Sequence, residues 1–252
     1  MAFTDVFTPQ WLKDRYLFGV DLTDDSGNPY PDALYNAAIA SSVQILEAEL
    51  DLVLTGTTTY TDRVDANMAD SDSFFLTRLA KRPVWSVSAI AVQFGDHPQG
   101  QLPASWALVR EPLSGQVQIM PGKELSFTLT YNGGFPLFGY ESLIPRRYTP
   151  GWFNFSYSAG YDGTTNPYPA DIQDAIGLLS AMLPLDTAGD LLVGAGIAST
   201  SVSLDGLSTS INSTSSATNS GYGARVIQYM KRYTKLMESM RARYRGVSVG
   251  VL

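Results

Sequence analysis

Cysteine does not occur in this sequence, and histidine occurs once. The first absence excludes disulfides, thiolate metal sites and cysteine nucleophiles. The second excludes a histidine-built metal site within one chain. A Ser-His-Asp triad has only His97 to draw on, in the turn-like stretch Gly95-Asp96-His97-Pro98, with no G-x-S-x-G elbow elsewhere. His97 is therefore expected to be a solvated turn residue. P-loop, H-E-x-x-H and G-x-G-x-x-G patterns are also missing, and "GAGIAS" at 194–199 is too short a glycine pattern to replace them. Neither an enzyme nor a cofactor is expected.

No run of 18 apolar residues is present, so no membrane-spanning helix is expected. The start Met1-Ala2-Phe3-Thr4-Asp5 lacks the basic and apolar regions of a secretory signal, which points to synthesis in the cytosol. Charged residues make up only 16% of the 252 positions while apolar ones make up 44%. That leaves a surface rich in neutral polar groups, which tolerates burial against neighbouring subunits better than a charged one. The net charge of −7 argues against a general nucleic-acid binder.

Along the chain, residues 1–29 show no clear period, and "TDDSGNPYP" at 23–31 is dense in turn formers. After Pro31, the apolar residues Leu34, Ala38, Val43, Leu46, Leu50 and Val53 recur at helical steps. They predict an amphipathic helix of about six turns with Gly56 beyond its end. Glu47, Glu49 and Asp51 crowd its negative pole and need an offsetting partner or solvent. Residues 61–73 read as a short helix or loop.

From Phe74 the chain becomes rich in β-branched and aromatic residues. Residues 84–91 read as a strand covered on both faces, and 95–100 as a turn. Residues 106–120 read as a hairpin around Pro112 to Gly115, and 125–135 as a further strand. Phe153 to Tyr161 alternates as another strand. A helix is then predicted from Pro169, with Asp171 well placed at its positive end and Ile172, Ala175, Ile176, Leu179 and Met182 on one face. Pro184 is expected to stop or kink it.

A β-hairpin turning at Leu204-Asp205-Gly206-Leu207 follows, then a Ser/Thr-rich loop at 212–223. The last predicted helix runs from about Tyr222 to Arg245, with an apolar stripe of Val226, Tyr229, Tyr233, Leu236, Met237 and Met240. Arg225, Lys231, Arg232, Lys235, Arg241, Arg243 and Arg245 face one acid, Glu238, so this helix is net +6 and the rest of the chain −13. The tail "GVSVGVL" is apolar and strand-like.

The predicted fold class is α+β: a helical bundle with an inserted small antiparallel β-domain and a long C-terminal helix. The expected divisions are 1–73 (N-terminal helical part), 74–162 (inserted β-domain), 163–190 (second bundle helix), 191–221 (hairpin and loop) and 222–252 (basic helix and tail).

Two ordered motifs carry a resemblance. One is Pro83-Val84-Trp85-Ser86-Val87-Ser88-Ala89-Ile90. The other joins a strand end, Tyr157 to Tyr161, to a helix start, Pro169 to Ile172. Together with their helical flanks, over roughly residues 31–183, they resemble the head-to-tail connector (adaptor, head-completion) family of tailed bacteriophages. The long excursion at 131–148 and everything from 191 onward depart from the family's shorter members.

The resemblance implies a non-enzymatic virion neck protein, assembled in the host cytoplasm. It implies a homo-oligomeric ring, usually dodecameric, that contacts the portal and other neck or tail-completion proteins. DNA would pass through the lumen without specific binding. It also marks Tyr157, Ala159, Gly160, Tyr161, Pro169 and Asp171 as a structural joint.

Ring assembly is expected through the helices at 31–54 and 169–183. The basic helix is expected to dock the portal through its seven cations and through Val247, Val249 and Val251 in the tail. Packing of that helix on its own bundle, with its cations solvated, is the competing reading. Two other functions stand beside the connector. One is a tail-tip module binding carbohydrate or a receptor through aromatics such as those at 135–152. The other is an enzyme using Asp162, Asp171 and Asp174, which read more simply as turn and helix-start acids.

Overall fold

A computed structural model describes residues 3–20, 22–24, 26–120, 129–130, 136–137, 145, 147–193, 199–204, 207–212 and 222–245. The fold is α+β, and it divides into two compact units. One comprises Met1–Glu49 with Tyr168–Arg241, the other Leu50–Pro167 with Ala242–Leu252.

The first unit is mainly helical. It contains α1 (Phe3–Val6), α2 (Pro9–Arg15), α3 (Asp32–Leu50), α4 (Ala170–Val193) and α5 (Gly223–Arg245), the last turn of α5 falling in the second unit. Helices α1 and α2 lie where the sequence shows no period. A local signal was nevertheless present: Thr8 accepts from the Trp11 N–H and Pro9 occupies the first turn.

Helix α3 buries Tyr35, Ala38, Ile39, Val43, Leu46 and Leu50, the periodic stripe of an amphipathic helix. It ends at Leu50, with Asp51 in the left-handed region at φ 53, rather than running on toward Gly56. Helix α4 is not one-faced as expected. It buries Ile172, Ala175, Ile176, Leu178, Ala181, Leu185 and Ala188, and so is enclosed on most sides. Pro184 does not stop it. The apolar residues on both sides of the proline hold the helical path despite the lost hydrogen bond. The expected hairpin is β10 (Ser199–Leu204) and β11 (Leu207–Asn212), paired through Leu204 and Leu207.

The second unit is built on sheets. Four antiparallel strands run in the order β1 (Thr58–Ala66), β9 (Thr149–Ala159), β3 (Val84–Phe94) and β4 (His97–Leu102). A smaller sheet orders β2 (Thr77–Arg78), β6 (Gln116–Ile119) and β5 (Ala107–Glu111). In β9, Phe153, Phe155, Tyr157 and Ala159 are all buried, as strict alternation requires. Each of these aromatics stabilises the unit by roughly 1.5–3 kcal/mol relative to exposure.

Strand β1 was expected as loop or short helix, so the β region opens at Thr58 instead of Phe74. Its inward parity is Tyr60, Asp62, Val64 and Ala66, and the acid in that row hid the strand. A 3₁₀ helix, Met68–Ser73, follows it. Strand β3 is also not covered on both faces: Val84, Ile90 and Val92 are buried, while Trp85 and Ser88 are exposed. Register shifts between Val84 and Ser86 and between Val87 and Ala89 switch parity twice. They turn Val87 inward with its neighbours and return Ile90 to the same face.

The expected hairpin at 106–120 is present as β5 and β6. The expected turn at 95–100 is shorter, since β4 begins at His97, which is exposed at the head of that strand. Of 125–135, only Leu129–Thr130 (β7) is described, paired with Pro136–Leu137 (β8). The remainder lies outside the described residues.

Candidate interaction surfaces and the strand-to-helix joint

At the strand end, in the sheet unit, the backbone at Gly160 has φ 110. A Cβ there would lie 2.3 Å from the Gly56 carbonyl and 2.9 Å from Val53 Cγ1. Only glycine fits. The Gly160 N–H donates to the Pro83 carbonyl at 3.0 Å. Its own carbonyl accepts from Trp85 Nε1 at 2.6 Å and Thr57 Oγ1 at 2.8 Å.

The buried ring of Tyr161 stands edge-on to Trp85 at 5.9 Å, and its N–H donates to Val53. The Tyr157 hydroxyl donates to Asp62 at 2.7 Å and accepts from the Lys81 N–H at 3.0 Å. Burial first, and the adjoining carboxylate second, raise its pKa far above the ordinary tyrosine range. Tyr157, Ala159, Gly160 and Tyr161 are thus interior anchoring groups, with no surface to offer a ligand.

At the helix start, in the helical unit, Pro169 directly precedes α4 and Asp171 lies in its first turn. The Asp171 carboxylate accepts from the Ile172 N–H at 2.9 Å. Tyr16, at the end of α2, links three helices here. Its hydroxyl donates to Asp174 at 2.9 Å, and its carbonyl accepts from Tyr229 at 2.6 Å and Arg225 at 3.0 Å. The ring lies against Gly177 of α4, where a Cβ would come within 2.1 Å of it. Nothing in the sequence marks Tyr16 for this role.

The three acids once grouped as a possible active site each have a separate task. Asp162 accepts from the Thr164 and Asn166 N–H groups within its own loop, which holds its pKa below the usual carboxylate range. Asp171 serves the helix start. Asp174 accepts from Tyr16 and pairs with Arg232 at 2.6 Å. Among the described residues, no group of three or more His, Asp or Glu could hold a metal ion, and no helix is long and apolar enough to cross a membrane.

Helix α5 shows the predicted stripe, with Val226, Met237 and Met240 buried and Tyr229, Tyr233 and Leu236 half-buried. Several of its cations have partners among the described residues. Arg225 donates to Tyr16 and Tyr229, Arg232 to Asp174, and Arg241 to Glu49 at 3.1 Å; Arg245 lies 3.8 Å from Asp51. Arg243 sits over the Tyr244 ring, while Lys231 and Lys235 are exposed. The offset expected for the acids ending α3 is therefore supplied by arginines. Val247, Val249 and Val251 lie outside the described residues.

Arg82 escaped the sequence reading. It is 3% exposed in the sheet unit. One guanidinium nitrogen donates to the Tyr244 carbonyl at 2.9 Å and the other pairs with Asp51 at 2.8 Å. A Cβ on Gly115 would come within 2.7 Å of its stem. "KRPV" carries no local mark that distinguishes a buried arginine from a solvated one.

No family model matches the chain, and no curated protein matches it. Among solved structures it is similar to a chain in the virion of a native gene transfer agent particle. The TM-score is 0.41 at 15% identity, over 70% of this chain and 77% of that one. A chain in the neck of an empty gene transfer agent particle, computed with C6 symmetry, gives 0.40 at 15% over 72% and 79%. A chain in the neck of a native particle, computed with C12 symmetry, gives 0.38 at 18% over 60% and 69%.

Proposed function

We propose that this chain is a structural neck protein of a phage-like particle: a head-to-tail connector whose copies form a ring beneath the portal, join capsid to tail and surround the DNA exit channel. One observation carries the reading. The first motif and the strand half of the second, far apart in sequence, lie side by side on paired strands: Val84 opposes Ala159 and Val87 opposes Tyr157. Pro83 and Trp85 both hydrogen-bond Gly160. They form one framework of paired strands, which gives both a common physical purpose.

The low charge and the part-exposed Ile45 on α3 and Leu183 on α4 support subunit contacts through those helices. An acidic chain would also repel, and so not retard, passing DNA. Portal docking belongs to α5 and the tail beyond it. Lys231 and Lys235 supply the outward charge, and Val247, Val249 and Val251 add a strand to an exposed portal edge.

Electron microscopy of the purified chain, alone and mixed with portal rings, tests the assignment. A ring coaxial with the portal is expected. A strict monomer in both samples overturns it, and glycan binding without portal association favours the tail-tip module. Deleting 246–252, or reversing charge at Lys231 and Lys235, should weaken portal binding without changing binding to duplex DNA. Unchanged portal binding in both variants defeats the docking assignment alone.

A further inference from the structure

The sheet β2-β6-β5 buries one face and leaves the other open. Thr77 and Val109 both oppose Val117, so these three share the inner face. Alternation then turns Leu76, Arg78, Leu108 and Met120 to the outer one. Leu76 is 47% exposed, and Leu108 and Met120 are each 38% exposed. They flank Gln118, whose amide is tied to the Ser73 carbonyl at 2.9 Å.

Phe74 extends this apolar row. It and Phe75 are consecutive bulky residues at positive φ, 54 and 51, an uncommon and strained pair. Phe75 is compensated by burial, edge-on to Phe153 at 5.0 Å. Phe74 is 43% exposed, and its carbonyl accepts from the Ile119 N–H at 2.9 Å.

The other end of the face is cationic. Arg78 is anchored there by a bond to the Ser114 carbonyl at 2.9 Å. Beside it, the guanidiniums of Arg82 and Arg245 share a single carboxylate oxygen of Asp51, at 2.8 and 3.8 Å. The buried Nε of Arg82 has no hydrogen-bond partner. Among the described residues, Glu111, in register with Gln116 as Arg78 is, adds a second acid to this face, so three guanidiniums stand against two acids and positive charge is left over.

We propose that this outer face is one half of a head-to-tail contact with a second copy of the chain, which brings apolar side chains to the Leu76–Leu108 row and carboxylates to Arg78. The inference rests on the ring assignment above and adds to its helical contacts. A second copy fits because the chain outside α5 is strongly acidic. Arg78 of one copy meets carboxylates on a different surface of the next. The contact is therefore heterologous, the kind that closes rings. Nucleic acid fits less well, because a phosphate backbone makes no use of the apolar row.

The test is sedimentation of the full chain, alone and with portal rings. Arg78→Glu and Leu108→Ser should each weaken self-association at least tenfold, as should raising the salt. Arg63→Glu, on the other sheet, should leave it unchanged. A photo-crosslinking residue in place of Leu108 should join two copies of the chain, which keeps the test decisive should Arg78→Glu disturb folding. Oligomers that persist with unchanged affinity and no crosslink overturn this contact and leave the ring standing. A wild-type chain that stays monomeric even with portal defeats both. Loss of DNA binding in Arg78→Glu with unaltered self-association assigns the face to nucleic acid and overturns the proposal.

Discussion

The guanidinium of Arg82, two residues before β3, donates to the main-chain carbonyl of Tyr244 at 2.9 Å. The same guanidinium pairs with Asp51, just beyond the end of α3. One buried arginine thus holds both a main-chain carbonyl and a carboxylate.

Arg82→Ala should destabilise the protein by about 2–3 kcal/mol, through a lost charge-assisted bond and a void beside Gly115. Arg82→Lys should recover only part of this, because an ammonium cannot span both acceptors. Urea unfolding followed by circular dichroism measures both. Equal stability of wild type and Arg82→Ala contradicts the assignment.

Gly160→Ala should be among the most damaging single-atom additions, at about 3 kcal/mol or more. It combines positive φ with a clash against the Gly56 backbone. Gly95→Ala is the matched control. Gly95 also has positive φ, but nothing lies within 4 Å of the added carbon, so about 1 kcal/mol is expected. Comparing thermal midpoints separates steric crowding from backbone preference.

Tyr233 is pushed up to about 12, chiefly by burial and then by Glu49. The folded state therefore holds this proton more tightly than the unfolded chain, whose tyrosines titrate near 10. The stabilisation is complete below about pH 10 and is lost as pH rises from there through the folded value. The hydroxyl is buried without a hydrogen-bond partner. Tyr233→Phe should thus be neutral or slightly stabilising at pH 7, by less than about 1 kcal/mol. It should also make stability fall less steeply above pH 10. A larger loss at pH 7 would reveal a needed hydroxyl.

Asp174→Asn should cost more than Asp171→Ala. The first weakens the shared acceptor of Tyr16 and Arg232, while the second removes one first-turn acid worth roughly 0.5–1 kcal/mol. Denaturation midpoints rank them. A hydrolytic activity abolished by Asp171→Ala in an intact fold would overturn the structural role given to this acid.

Periodicity by itself determined α3, α4, α5, the β5–β6 and β10–β11 hairpins, and the alternation of β9. In α3, α5 and β9, local spacing and burial agree. The charge asymmetry of α5 was equally legible, because counting needs no coordinates. Tertiary structure decided the rest. Asp62 sits on the inward parity of β1 because Tyr157 and the Ala80 N–H come from elsewhere to satisfy it, so hydrophobic alternation could not reveal that strand. Pro184 lies within a helix because Ala181, Leu185 and Ala188 around it are buried, which outweighs the local preference to stop. Two register shifts chose which residues of β3 face inward. Which arginines are buried or paired, and which cations stay exposed, depended on acids and carbonyls distant in sequence, a relation no local pattern encodes.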